Sequence, residues 1–95
     1  MMKNLVISQS IKIKLLEKHF VRRIEIEECF KNRRRQYLED LRAEHHTDPP
    51  TYWFISRTHQ GRLLKVVIVF DGSKVYLKTA FEPNSQEIAI YDKYA

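Results

Sequence analysis

The chain has 95 residues, 43% of them hydrophobic and 31% charged, enough for one modest core over residues 1–95 and too apolar for a disordered segment. Seventeen Lys and Arg against twelve Asp and Glu leave a net charge of +5. That favours an anionic partner, nucleic acid first and an acidic protein second, with simple solubility as the plain alternative. The single cysteine, Cys29, excludes an internal disulfide and points to a reducing compartment, and Ser8, Gln9 and Ser10 interrupt the apolar start. Neither a signal peptide nor a membrane span is expected, and the expected location is cytoplasmic.

Ser8 and Ser10 are N-cap residues, and Ile11 and Leu15, with Ile13, Leu16 and Phe20, recur at near-helical spacing, so a helix is predicted over about 10–19. A second helix follows across Val21–Phe30, where Ile26, Cys29 and Phe30 form an i, i+3, i+4 stripe and Glu27 leads Lys31 by four residues. Residues 31–48 admit two readings. Tyr37, Leu38 and Leu41 fit a helical turn, and the same stretch fits a short edge strand leading into the loop residues His45 to Pro50.

From Tyr52 the period changes to two. Tyr52–Thr58, Arg62–Phe70 and Lys74–Phe81 read as strands of an antiparallel meander, joined by hairpin turns at Gln60-Gly61 and Asp71-Gly72. Asn84 and Glu87 form a capping-box pair for a closing helix that would bury Ile88 and Tyr91. The fold class is therefore α+β: two N-terminal helices, three to four antiparallel strands and a C-terminal helix.

Two-residue turns at both junctions set the expected register. They place Trp53, Ile55, Leu64, Val66, Ile68, Phe70, Val75, Leu77 and Phe81 on a core face covered by all the helices. The other face carries Tyr52, Phe54, Ser56, Leu63, Lys65, Val67, Val69, Tyr76, Lys78 and Ala80. In that register Lys65 opposes Lys78. Like charges opposed on a sheet repel, and a phosphate between them would reverse the sign of the interaction. Two lysines that snorkel into solvent are the alternative.

Leu16-Glu17-Lys18-His19 with Val21 and an acidic helix ending at Phe30, then Gly61-Arg62-Leu63-Leu64 running into Val66-Val67, then strand Val75–Phe81 and a final helix with Glu87 and Tyr91, form an ordered set over roughly residues 12–94. In that order they resemble the BrnT family of toxin proteins, within the wider RelE-like group of small bacterial ribonucleases. The resemblance implies the same α+β fold and the toxin component of a type II toxin–antitoxin pair. It also implies a ribonuclease acting on RNA and a cognate antitoxin protein as partner. The family usually has Gly where Phe20 stands, and often ends its last strand in Ser-Ala-Arg where this chain has Thr79-Ala80-Phe81.

RNA cleavage of this kind needs a base for the 2′-OH, a cation for the phosphorane charge and an acid for the leaving 5′-oxygen, and requires no metal or cofactor. His19 is the best acid or base, because imidazole titrates nearest neutrality. Lys18, Arg57, Arg62 and Lys65 supply catalytic cations. Arg33, Arg34, Arg35, Tyr76 and Lys78 are the RNA-binding candidates, Tyr76 for base stacking. Each has a structural alternative, such as a helix cap for His19, a turn flank for Arg62 and a solvated face for the arginine run. A non-catalytic RNA- or protein-binding module, with Phe81 marking lost activity, is the other reading. No metal site is expected: His45, His46 and Asp48 read as a solvated loop, and Cys29 as core.

Overall fold

The computed structural model describes residues 2–42 and 49–95. Their elements run β1 (Leu5–Val6), α1 (Gln9–Lys14), α2 (Arg23–Asn32), β2 (Leu38–Glu39), β3 (Thr51–Arg57), β4 (Leu63–Asp71), β5 (Lys74–Phe81) and α3 (Ser85–Tyr94). The strands form one mixed sheet in the order β1-β5-β4-β3-β2. Only the β1–β5 pair is parallel. The expected α+β class and meander hold. The sheet gains two short edge strands, and β2 is the strand reading of the ambiguous stretch after residue 31. His45, His46 and Asp48 lie outside the described residues.

The first helical run follows its sequence signals closely. Ser8 caps α1 by accepting from the Ile11 amide at 3.3 Å. After Lys14 the backbone widens into a π-helical turn, Leu15–His19, which ends at Phe20 with φ +54. Of the apolar residues on this run only Leu15 is fully buried, whereas Ile13, Leu16 and Phe20 face solvent. The π turn interrupts the 3.6-residue period on which a continuous stripe depends. α2 buries Ile26 and Cys29 as its stripe predicts, and burial, with Glu25 and Glu28 nearby, pushes the Cys29 thiol up to about 12. It is a core residue, inert as a nucleophile.

The sheet register differs from the expected one in three places, each with a local cause. The β3–β4 connection has three residues, not two. Gly61 donates to the Thr58 carbonyl at 2.9 Å while Thr58 donates to the Arg62 carbonyl at 2.8 Å, and Gly61 has φ +87. This is the turn-plus-bulge hairpin that needs a left-handed residue in its last loop position. The one-residue slip turns β3 over relative to β4. Trp53 now pairs with Val67, and Phe54 with Val66.

At the second hairpin Asp71 pairs with Lys74, so the loop is Gly72-Ser73, with Gly72 at φ +60 in its first position. Further along β5, Leu77 pairs with Ile68 but Thr79 with Val67. Lys78 is therefore the extra residue of a β-bulge, and beyond it Phe81 changes face.

These shifts make a three-layer structure. The inner face carries Phe54, Leu64, Val66, Ile68, Leu77 and Ala80, all buried. It packs under the N-terminal helices through Phe30 against Phe54, with ring centroids 4.9 Å apart. The outer face carries Trp53, Ile55, Lys65, Val67, Thr79 and Phe81 by cross-strand pairing. There α3 packs on β3, with Tyr91 and Trp53 ring centroids 5.7 Å apart. The expectation that all three helices share one face with Trp53 and Ile55 is therefore corrected. β3 lies between helical layers, which explains its nearly unbroken burial from Trp53 to Ser56. The closing helix is as expected, with Asn84 and Glu87 exchanging both capping-box hydrogen bonds.

Phe54 is 0% exposed and contacts Phe30 and Tyr37, whereas Leu16 is 49% exposed. Phe54→Ala is expected to cost about 3–5 kcal/mol in urea unfolding. Leu16→Ala should stay within about 0.5 kcal/mol of wild type.

Candidate nucleic-acid interface

Four catalytic candidates, Lys18, His19, Arg62 and Lys65, converge at one end of the sheet, but two of them are already committed to holding the fold together. Arg62 leads into β4 from the hairpin. Its guanidinium donates to the carbonyls of His19 and Phe20, each at 2.7 Å. It also pairs with Glu25 at 3.3 Å and Glu82 at 3.0 Å. The His19 and Phe20 carbonyls are among the orphans that every helix C-terminus leaves, and the left-handed turn at Phe20 aims them outward. Arg62 is a positioning group. It fixes the backbone of His19 and has little capacity left for a phosphate.

Lys65 is buried, contrary to its expected place on a solvated face. Its ammonium pairs with Glu87 Oε2 at 2.7 Å. It also lies 4.4 Å from the Trp53 ring centroid and 5.6 Å from that of Phe81. Its cross-strand neighbour is Phe81. The predicted Lys65–Lys78 pair does not exist, because the Lys78 bulge and the Gly72-Ser73 loop shift the register. The other Glu87 oxygen caps α3, so one carboxylate ties the helix start to the sheet. Burial works to raise the Glu87 pKa, but the Lys65 ammonium and the Asn84 amide outweigh it and hold the carboxyl below its ordinary value.

What remains open is the part of the outer face over β4 and β5. Val67, Val69, Tyr76, Thr79 and Phe81 are half-buried there, and Lys74 and Lys78 are exposed. Val69 pairs with Tyr76, Val67 with Thr79 and Lys65 with Phe81, which makes a continuous strip across two strands. The His19 ring borders it, with its centroid 5.8 Å from that of Phe81. Lys18, next along, is exposed. Such a strip can stack bases on Tyr76 and Phe81 and meet phosphates with lysines, while an imidazole at its border is suited to proton transfer.

The arginine run lies elsewhere. Arg33 stacks on Tyr37, 4.0 Å from its centroid. Arg35 donates to the Asp92 carbonyl at 3.0 Å and pairs with its carboxylate at 3.5 Å. Arg57 donates to the Gly61 carbonyl at 2.7 Å. Arg34, Arg35 and Arg57 line a cleft floored by Ile55, Leu63, Ile88 and Tyr91. They are thus apart from Tyr76 and Lys78. Burial pushes the Tyr91 phenol above its ordinary range against the pull of Arg33 and Arg35. Its hydroxyl and that of Ser56 are buried without a hydrogen bond of ordinary geometry. No cluster suited to holding a metal occurs among the described residues.

That Glu25, Glu82, Glu87 and the Trp53 ring decide what Arg62 and Lys65 can do escaped the sequence reading. Among the three carboxylates, Glu87 carried a signal, as a helix cap. Lys65→Ala would leave Glu87 without its partner in a poorly solvated site and is expected to cost about 3 kcal/mol. No repulsion is relieved by the change, because Lys65 is paired across the strands with Phe81 and not with Lys78. Glu87 also sets a pH dependence with a definite sign. Its folded-state pKa is depressed below the ordinary 4.5. Its contribution is therefore complete above that unfolded value and is lost as pH falls through the lower folded one. Glu87→Gln should lower stability at neutral pH and flatten the acid limb of a stability-versus-pH curve.

Compared with models of known protein families and with curated proteins, the chain matches none.

Proposed function

We propose that the chain is an RNA-acting protein of the small ribonuclease toxin kind. In this reading it is the toxin component of a type II toxin–antitoxin pair, works in the cytoplasm and is silenced by an antitoxin protein. The observation that carries the reading is the His19 imidazole at the border of the β4–β5 strip, beside Phe81, with Tyr76 and Lys78 on the same strand as Phe81. A nucleotide stacked on this strip would bring its 2′-OH toward His19. His19 takes the 2′-OH proton, the 2′-oxygen attacks phosphorus, and the P–O5′ bond breaks as the imidazolium returns that proton to the departing O5′, which leaves a cyclic phosphate and a free 5′-hydroxyl. The nucleophile is the substrate's own hydroxyl, so the step needs no metal. In this reading Lys18 and Lys78, both exposed, are the cations that meet the phosphate charge.

The BrnT and RelE-like resemblance supports this reading through one further detail. That family calls for glycine after the Lys-His pair, and Phe20 has φ +54, the left-handed conformation that glycine adopts without strain.

A second reading, a non-catalytic RNA- or protein-binding module, is favoured by a specific observation. Arg62 and Lys65, two of the candidate catalytic cations, are both spent in internal ion pairs, and Phe81 occupies the position of the family arginine.

Expression of the chain without a partner is expected to arrest growth and fragment cellular RNA, and His19→Ala should abolish both while leaving thermal unfolding unchanged. Intact RNA at every expression level, with RNA still bound by the purified protein, would select the non-catalytic reading.

A further inference from the structure

Phe20 combines two unfavourable properties. Its backbone is left-handed at φ +54, a region disfavoured for any residue with a Cβ. Its ring is also 74% exposed, so no burial compensates within the chain. Strain at an exposed aromatic residue marks a position kept for contact with something else. Ile13 and Leu16, 44% and 49% exposed, stand on the helical run that Phe20 terminates. Lys12, Lys14 and Lys18 on the same run are exposed and form no ion pair among the described residues.

We infer that Phe20, Leu16 and Ile13 form the docking surface for an acidic amphipathic segment of a protein partner. Its apolar side chains pack on these three residues, and its carboxylates meet Lys12, Lys14 and Lys18. Charge decides among the possible occupants. A second copy of this chain docked face to face would bring three lysines against three lysines, which rules out self-association here. RNA would find the lysines and could stack a single base on Phe20, but Ile13 and Leu16, two of the three apolar residues, offer no stacking surface. An anionic membrane would also meet the lysines, but α1 has only 6 residues, too short for an interfacial helix. An acidic amphipathic peptide satisfies both the apolar residues and the lysines. Apart from Lys18, these side chains are not those of the β4–β5 strip, so the surface stands whether or not the protein acts on RNA.

The test is selection of a random library of short displayed peptides on the purified protein, followed by measurement of the selected peptides in solution. Selected sequences should carry Leu or Ile at i, i+3 and i+4 flanked by Asp or Glu, and their affinity should fall with added salt. Phe20→Gly suits the left-handed backbone and so preserves the fold. It should weaken binding about tenfold or more, as should Leu16→Ser on the neighbouring turn. Selected peptides without acidic bias, no selection at all, or equal binding to wild type and Phe20→Gly would overturn the inference. Binding of wild type but not Phe20→Gly to phosphatidylserine vesicles would overturn it in favour of a membrane, and the same pattern with single-stranded RNA would overturn it in favour of nucleic acid.

Discussion

The Arg62 guanidinium is the point on which the arrangement of this protein turns. Four segments meet on it: the end of the first helical run at His19 and Phe20, the start of α2 at Glu25, the β3–β4 hairpin that carries Arg62 itself, and the end of β5 at Glu82. The π turn and the left-handed residue at Phe20 leave carbonyls that need donors, and a planar guanidinium with five N–H groups can serve two carbonyls and two carboxylates together. A lysine could not. The chain can leave its first helix in a strained conformation because this one side chain satisfies the exposed backbone. The placement of His19 follows from the same contact.

Lys65 repeats the principle three residues along β4. It joins the outer face of the sheet to α3 through Glu87 and fills its surroundings with the rings of Trp53 and Phe81. Two cations of β4 and its lead-in thus hold the helical layers to opposite faces of the sheet. This divides the positive charge into two groups. Arg62 and Lys65, with Arg23 paired to Glu27 at 2.8 Å, belong to the scaffold. Lys12, Lys14, Lys18, Lys74 and Lys78 are exposed and supply the charge an anionic partner would meet. The net charge alone made no such distinction.

Much of the fold was legible in the sequence because it depends on local signals. Ser8 and Asn84 are caps, Ile26 and Cys29 keep helical spacing, and glycines mark both hairpins. Face assignment was less legible, because it depends on counting single residues. One extra residue in the loop before Gly61 turned β3 over and exchanged Trp53 for Phe54 on the inner face. One bulge at Lys78 moved Phe81 across the sheet. Both devices are governed by backbone torsions, which residue type only biases. The candidate site inherited those errors. His19, Tyr76 and Lys78 were identifiable as chemistry, whereas the commitment of Arg62 and Lys65 could be seen only once their carboxylate partners were in place.

The central claim is that the strip over β4 and β5, bordered by His19, is the surface that meets RNA. The most direct measurement follows backbone amide resonances of the isotope-labelled His19→Ala protein while a short single-stranded RNA is added, so that the RNA survives the titration. Shifts concentrated at Val67, Val69, Tyr76, Lys78, Thr79 and Phe81, saturating with RNA and weakening with salt, are the predicted result. Shifts confined to Arg34, Arg35 and Arg57, or none at all, would contradict it.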